Sequence, residues 1–284
     1  MNCRATLFFL LAIAAVLTGC KGSVTLDMAA DGPADTRIVD INTELVGVEF
    51  QRSDGTTRKI EFTESEPIDL MQLVDGQNSI RLLTSEKIPE GSYTGVRLIF
   101  DNEQDATVTR FDGTQYDLSI TEAEYAPVEF TIKKDRTTRE NLWVMLDLRQ
   151  SLILSDDGRD YTLTPVLRTA EAEEAATLTG LVNVTCPTST TLNQPAVYLY
   201  EGKNVVPNDI GSPVTPFATS RIFNDPFSGQ FGYALRYLPS GDYTISFVCR
   251  SNDDDPAVDD DIEFIRTANI ALDDAETRTY DFLP

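Results

Sequence analysis

The chain reads as all-β, two antiparallel β-sandwich domains in tandem after an N-terminal signal peptide. Four observations carry that reading. Apolar residues recur with period two over short runs, turn signals arrive every ~8–15 residues, and no helical pattern intervenes. The fourth is a phrase that occurs twice. "IPEGSYTGVRLIF" begins at Ile88 and "LPSGDYTISFVC" begins at Leu238. Each has a Pro that sets φ, a Gly two residues later suited to positive φ, and a Tyr that opens an alternating run.

In chain order, "RIVDINTELVGVEFQR" alternates through Val39, Ile41 and Leu45, then changes phase to Val46, Val48 and Phe50. Such a change predicts a β-bulge near Leu45. Asp54-Gly55 makes a hairpin turn into "KIEFT". "IDLMQLVDG" suits a short helix or turn. Asp112-Gly113 joins two further strands in "VTRFDGTQYDLSI", and "PVEFTIKK", "NLWVMLDLRQSLIL" and "DYTLTPVLRT" read as three more, the last two separated by Asp157-Gly158. "AEAEEAA" (170–176) lacks β-branched and aromatic residues and reads as a linker. The expected domains are therefore 23–169 and 177–284. In the second, "TLTGLVNVTC", "AVYLYEG", "FGYALRYL", "GDYTISFVC", "IEFIRTANIAL" and "TRTYDFLP" predict about seven strands, with Tyr198 and Tyr200 giving one strand an aromatic face.

The N-terminus has its own pattern. "MNCRATLFFLLAIAAVLTGC" has one charge, Arg4, then an apolar stretch from Ala5 to Leu17. That stretch is roughly 20 Å as helix, short of a ~30 Å hydrocarbon core, so it reads as a signal peptide (1–19) and not a membrane span. Leu17-Thr18-Gly19-Cys20 resembles a bacterial lipobox, which implies cleavage before Cys20 and a lipid on its sulfur. A plain secretory signal is the alternative. Lys21, where an Asp would resemble an inner-membrane retention signal, points to the outer membrane. Of four cysteines, Cys3 leaves with the signal and Cys20 is the lipid site. Cys186 and Cys249 remain, an even pair in an oxidising compartment, and read as a disulfide or else as two buried thiols.

The chain holds no histidine. Histidine-based triads and histidine-ligated zinc are excluded. A formal net charge of −23 would be repelled by phosphate backbones, so no nucleic acid is expected. One cluster could take a ligand. In "SNDDDPAVDDDIEF", Asp253, Asp254, Asp255, Asp259, Asp260 and Asp261 could supply oxygens to calcium, though the spacing is not an EF-hand. The two readings are a solvated acidic loop and weak calcium binding. No other cofactor is expected.

The order of "DGPAD" (31–35), "IDLMQL" (68–73), "IPEGSYTGVRL" (88–98), "FDGTQYDL" (111–118), "VMLDLRQSL" (144–152) and "YTLTPVLR" (161–168) resembles the bacterial lipoprotein family catalogued as domain of unknown function 4382. The resemblance implies a fold and an envelope location, with no catalytic residue. "LTGLV" (178–182), "AVYLY" (196–200), "GQFGYALRYLPSGDYTISF" (229–247) and the closing "TYDFLP" resemble the carboxypeptidase-regulatory or transthyretin-like sandwiches, which include Cna-B-type modules. Some Cna-B modules carry a Lys–Asn isopeptide. Lys203, the only lysine after position 134, does not suit one. Tyr93 and Tyr243 are similar to the tyrosine corner of immunoglobulin-like domains, with the hydroxyl returned to the backbone.

Together these expectations describe a lipid-anchored cell-envelope protein with a non-catalytic binding or scaffolding role. Its partners would be the membrane, through the anchor, and a cell-envelope protein or glycan. The first alternative is a surface carbohydrate-binding or adhesion protein using Tyr198, Tyr200, Tyr233 or Tyr237 as sugar platforms. The second is a carboxylate-dependent hydrolase.

Overall fold

The computed structural model describes residues 21–74, 78–102, 105–133, 138–186, 194–224 and 229–283. Cys20 and the signal segment lie outside the described residues. The first twelve strands are β1 (Lys21–Asp31), β2 (Ile38–Arg52), β3 (Thr57–Asp69), β4 (Ile80–Pro89), β5 (Gly91–Phe100), β6 (Thr107–Arg110), β7 (Gln115–Ile120), β8 (Ala126–Ile132), β9 (Arg139–Asp147), β10 (Leu152–Leu154), β11 (Asp160–Leu163) and β12 (Leu167–Glu171). They form a four-stranded sheet, β12-β9-β1-β4, facing an eight-stranded one, β10-β11-β7-β6-β2-β5-β8, with β3 also paired to β2. Side chains from both sheets meet in one core, including Val24, Leu26 and Met28 from β1 and Val48 and Phe50 from β2, all fully buried. That is the apolar layer a sandwich needs.

The next eight strands are β13 (Ala176–Leu181), β14 (Ala196–Glu201), β15 (Ala218–Arg221), β16 (Phe223–Asn224), β17 (Phe231–Leu238), β18 (Gly241–Val248), β19 (Phe264–Leu272) and β20 (Thr277–Thr279). They form two four-stranded sheets, β16-β17-β13-β20 and β15-β14-β18-β19, around a second core. Eight strands stand where about seven were expected. The turn between β12 and β13 occupies 172–175, because the flanks of the expected linker are already strand.

The bulge is present: the β2–β3 and β2–β5 registers both shift between Leu45 and Gly47, leaving Val46 as the extra residue. "IDLMQLVDG" contains a 3-10 turn at Leu70–Leu73, whose Met71 N–H donates to Asp69 Oδ1 at 3.0 Å.

Three expectations are corrected. The sheets are not purely antiparallel, since β1–β9, β7–β11 and β13–β20 pair in parallel. In each case the strands are far apart in sequence, which leaves chain enough for the crossover that parallel pairing requires. "NLWVMLDLRQSLIL" is not one strand. After β9 the chain makes a helical turn, α1 (Leu148–Ser151), whose Gln150 N–H donates to Asp147 Oδ1 at 3.0 Å, and then crosses to the opposite sheet as β10. "DYTLTPVLRT" also breaks and crosses, from β11 in one sheet to β12 in the other. Pro165, which lacks an N–H, sits at the break. Both crossings are locked together by Ser151. Its carbonyl accepts from Thr164 N–H at 2.8 Å and its Oγ accepts from Val166 N–H at 2.9 Å.

The twin phrases are the same corner built twice. The Tyr93 hydroxyl donates to the Pro89 carbonyl at 2.9 Å, and the Tyr243 hydroxyl donates to the Pro239 carbonyl at 2.8 Å. Both rings are buried. Tyr93 stacks on Phe130 at 4.9 Å, while Phe50 meets it edge-on at 6.0 Å. Gly91 sits at φ +141°, which side-chain-bearing residues rarely adopt, and an added Cβ there would meet the Arg52 guanidinium.

Polar and aromatic contacts join the two pairs of sheets. Trp143 of β9 stacks on Tyr237 of β17 at 3.8 Å. Buried Arg168 of β12 pairs with Asp31 at 2.8 Å, and the same nitrogen, Nη2, donates to the Arg236 carbonyl at 3.3 Å. Gln150 Nε2 donates to the Pro216 carbonyl at 3.1 Å.

Candidate functional site

The central strands of the β15-β14-β18-β19 sheet, β14 and β18, are buried on both faces. Its inner face carries Val197, Leu199, Ile245 and Phe247 into the second core. Its outer face carries Ala196, Tyr198, Tyr200 and Val248 into a third, smaller cluster with Ile210, Val205, Ile262 and Phe264. Two long loops cover that outer face, one after β14 (202–217) and one after β18 (249–263). Their backbones touch, since a Cβ added to Gly211 would fall 1.8 Å from the Val258 carbonyl oxygen. This explains why "AVYLY" buries every residue, its aromatic face included.

Under these loops three carboxylates converge. Asp209 from the first loop and Asp254 and Asp260 from the second each place one oxygen within 4.8 Å of the others. Asp209 is fully buried and Asp254 nearly so. Asp254 Oδ2 accepts from the Tyr198 hydroxyl at 2.5 Å and its Oδ1 from Ile210 N–H at 3.0 Å. Asp209 Oδ2 accepts from Asp260 N–H at 2.9 Å, and Asp260 Oδ2 accepts from Asp255 N–H at 2.8 Å. Burial raises the Asp254 pKa despite the bonds from Tyr198 and Ile210 and the charge of Arg149. Burial also raises Tyr198 well above the ordinary phenol range.

Arg149, from α1 in the first pair of sheets, reaches this region. It is 1% exposed, its Nη1 donates to the Ser251 carbonyl at 3.1 Å, and its guanidinium lies 5.9 Å from the Tyr198 ring centre. Its charge acts on Asp254, lowering that pKa against the effect of burial.

The six expected calcium ligands therefore divide. Asp254 and Asp260 enter the cluster. Asp253 pairs with Arg250, and Asp255 accepts from Ala257 N–H at 2.9 Å. Asp259 and Asp261 are exposed. Asp209 was missed by sequence reasoning. It is the only acid in its loop (202–217), which was its one visible signal. Arg149 gave none, since it reads as an ordinary strand residue. Cys186 and Cys249 form the expected disulfide, with Cα atoms 5.6 Å apart.

The sugar-platform residues fail that role. Tyr198, Tyr200 and Tyr233 are at most 1% exposed, and the Tyr237 ring lies against Trp143. Their hydroxyls explain why tyrosine suits the interior: Tyr200 donates to the Asn208 carbonyl and Tyr233 to the Tyr280 carbonyl at 2.7 Å.

Two concavities lie along the seam. A groove of about 1080 Å³ runs past Val128, Val166, Val205, Val214 and Phe217, with Glu129, Glu171, Glu174 and Glu201 among its lining. A smaller hollow of about 380 Å³ is lined by Asp35, Arg37, Arg110 and Tyr161 on one side and Asn252 and Asp255 on the other. There Arg110 Nη2 pairs with Asp35 at 2.8 Å and donates to Tyr161 at 2.6 Å. Burial would raise the Asp35 pKa, but hydrogen bonds from Arg37 and the charge of Arg110 hold it below the usual range.

The geometry defines a β-sandwich protein in which two stacked pairs of sheets share a seam. The family model described as Domain of unknown function (DUF4382) matches residues 21–165, and the chain belongs to that family. No curated protein matches it. Among solved structures, it is similar to the Bacillus anthracis TIE protein at 10% identity and TM-score 0.21, over 92% of this chain and 34% of that one. It thus spans about a third of that protein's length. It is also similar to GBS52, the minor pilin of Streptococcus agalactiae (11% identity, TM-score 0.22, 92% of this chain and 95% of that one). A streptococcal ancillary pilin gives 12% identity and TM-score 0.24, over 92% and 68% respectively. Superpositions this loose carry nothing about ligand or assembly.

Proposed function

We propose that the chain is a lipid-anchored bacterial cell-envelope protein, held to the outer membrane through Cys20, whose two β-sandwich domains (23–169 and 177–284) bind or scaffold and do not catalyse. The observation that carries this reading is the continuity of the "LTGC" motif with the fold. Lys21, the residue after Cys20, already belongs to β1, which is an inner strand paired to β4 and β9. A lipid on Cys20 would hold the first sandwich against the bilayer with no spacer. Charges of both signs stand at that end: Lys87 of β4 and Arg139 of β9 are opposite Ser23, and Glu86 and Glu140 beside them are opposite Val24. Among the described residues no helix is long and apolar enough to cross a membrane.

The disulfide supports export to an oxidising compartment. With Tyr198, Tyr200 and Tyr233 buried and one face of the half-buried Tyr237 ring covered by Trp143, the groove along the seam is the surface we assign to an envelope protein or a glycan. Its mixture of valines, prolines and glutamates suits a protein segment better than a sugar ring, which takes a planar aromatic.

The test is the mass of the N-terminal peptide from chain made in a bacterial host, beside Cys20→Ser. A diacylglycerol-modified Cys20 and detergent-phase partitioning that Cys20→Ser abolishes are expected. An unmodified N-terminus, or partitioning unaffected by the substitution, overturns the anchor. Surface proteolysis of intact cells then separates the periplasmic from the external face, and a glycan array tests the adhesion alternative.

A further inference from the structure

We propose that Asp209, Asp254 and Asp260 bind one calcium ion that staples the two covering loops onto the outer face of the second sandwich. This site is not the stretch of six aspartates seen in sequence. It takes two of them and adds Asp209, from a loop over forty residues earlier. The inference does not depend on how the chain is anchored.

The observation pointing to a ligand is the second oxygen of Asp209. The residue is fully buried, and Oδ1 has no hydrogen-bond partner among the described residues. A buried carboxylate oxygen with no donor is costly, and native structures satisfy such atoms with protein, water or an ion. The charges agree. Three carboxylates converge, and the cation that reaches Asp254 from the neighbouring sheets is Arg149. Set against the one charge of Arg149, the three carboxylates leave two negative charges at a site where Asp209 and Asp254 are buried and Asp260 half-buried, and a divalent ion cancels them.

The chemistry selects calcium. All three donors are carboxylate oxygens, with no nitrogen or sulfur in the set, which suits a hard cation. Oxygens around an ion at ~2.4 Å lie no more than ~4.8 Å apart, and these satisfy that limit. Magnesium at ~2.1 Å demands a tighter, near-octahedral set, whereas irregular loops suit the flexible shell of calcium. The existing hydrogen bonds do not compete, because each carboxylate offers about four lone-pair sites. Tyr198 and the amides of Ile210, Asp260 and Asp255 use one each and orient the oxygens inward. The remaining ligands would be waters or loop carbonyls. The role is structural. The loops have no regular strand pairing of their own, and the ion ties 202–217 to 249–263 across Tyr198 and Tyr200.

The test uses the full chain purified in detergent and stripped with chelator. Terbium, a calcium surrogate, is added and its tyrosine-sensitised emission recorded. Tyr198, bonded to Asp254, is the nearby donor. Sensitised emission that calcium reverses and equal magnesium does not is expected. Calcium at about 1 mM, the range of extracellular modules, should raise the unfolding midpoint by several degrees. Asp209→Asn and Asp260→Asn should abolish both effects, while Asp259→Asn and Asp261→Asn keep them. Absence of sensitised emission from the wild-type chain overturns the proposal, and that measurement needs no variant to fold. So does a calcium response that survives Asp209→Asn and Asp260→Asn, which would place the ion elsewhere.

Discussion

Replacing Tyr243 by Phe removes one oxygen, and the corner gives the magnitude to expect. The Tyr243 hydroxyl donates to the Pro239 carbonyl at 2.8 Å, while the ring is buried beside Phe217, 6.0 Å away between centres. A neutral hydrogen bond contributes about 1 kcal/mol net. Pro239 is only half-buried, so water partly replaces the lost donor, and the cost should stay near that figure. Tyr93→Phe should behave alike, because its bond to Pro89 is the same four-residue return and Pro89 is equally half-buried. Tyr243→Ala and Tyr93→Ala also lose the ring, for roughly 3–5 kcal/mol. For domains of this size, ~1 kcal/mol moves the midpoint by about 3–6 °C. Urea and thermal unfolding of the four variants would measure this. If both Phe variants unfold at the wild-type midpoint, the hydroxyl does not hold the corner. If both Ala variants do so too, the corner reading itself is wrong.

Other consequences are open to measurement. Cys186→Ser with Cys249→Ser should lower stability by about 4 kcal/mol on the chain-entropy model, given a separation of 63 residues, as read by unfolding with and without reductant. Trp143, the only tryptophan, stacks on Tyr237 across the seam, so Tyr237→Ala should shift its emission to the red while leaving the strand content in circular dichroism unchanged. Alkali should destabilise the fold before it reaches the ordinary end of tyrosine titration. Burial pushes Tyr125, Tyr161 and Tyr243 up to about 12. Their unfolded phenols ionise near pH ~10, so the stability they contribute is present below that pH and is lost as pH rises towards ~12. Unfolding midpoints from about pH 8 to pH 12 should fall from about pH 10 upward, and a flat profile would contradict the burial of these hydroxyls.

Much of the architecture was legible because local chemistry dictates it. Asp54-Gly55, Asp112-Gly113 and Asp157-Gly158 each sit at a turn with the glycine at positive φ, where the dipeptide alone selects the geometry. The slip at Val46 showed as a phase change in the apolar pattern. β1 was less legible: Val24, Leu26, Met28 and Ala30 alternate and are fully buried, but Ala29 between them is fully buried too and blurs the period. The crossings at α1 and Pro165 were not legible. One helical turn is too short to show its period, and a proline inside an apolar run does not say that the chain changes sheet.

The candidate site divides along the same line. The sequence by itself determined that the chain is β-rich, that its corners hold Tyr93 and Tyr243, and that histidine chemistry is excluded. Those properties depend on residue type or on neighbours within about five positions. Only the tertiary structure decided that "AVYLY" is covered on both faces, that Tyr198 and Tyr200 are core, and that Asp209 meets Asp254 and Asp260. These depend on which loops fold back across a sheet. Loop closure costs little more for a long segment than for a short one, so sequence separation places almost no constraint on which carboxylates meet.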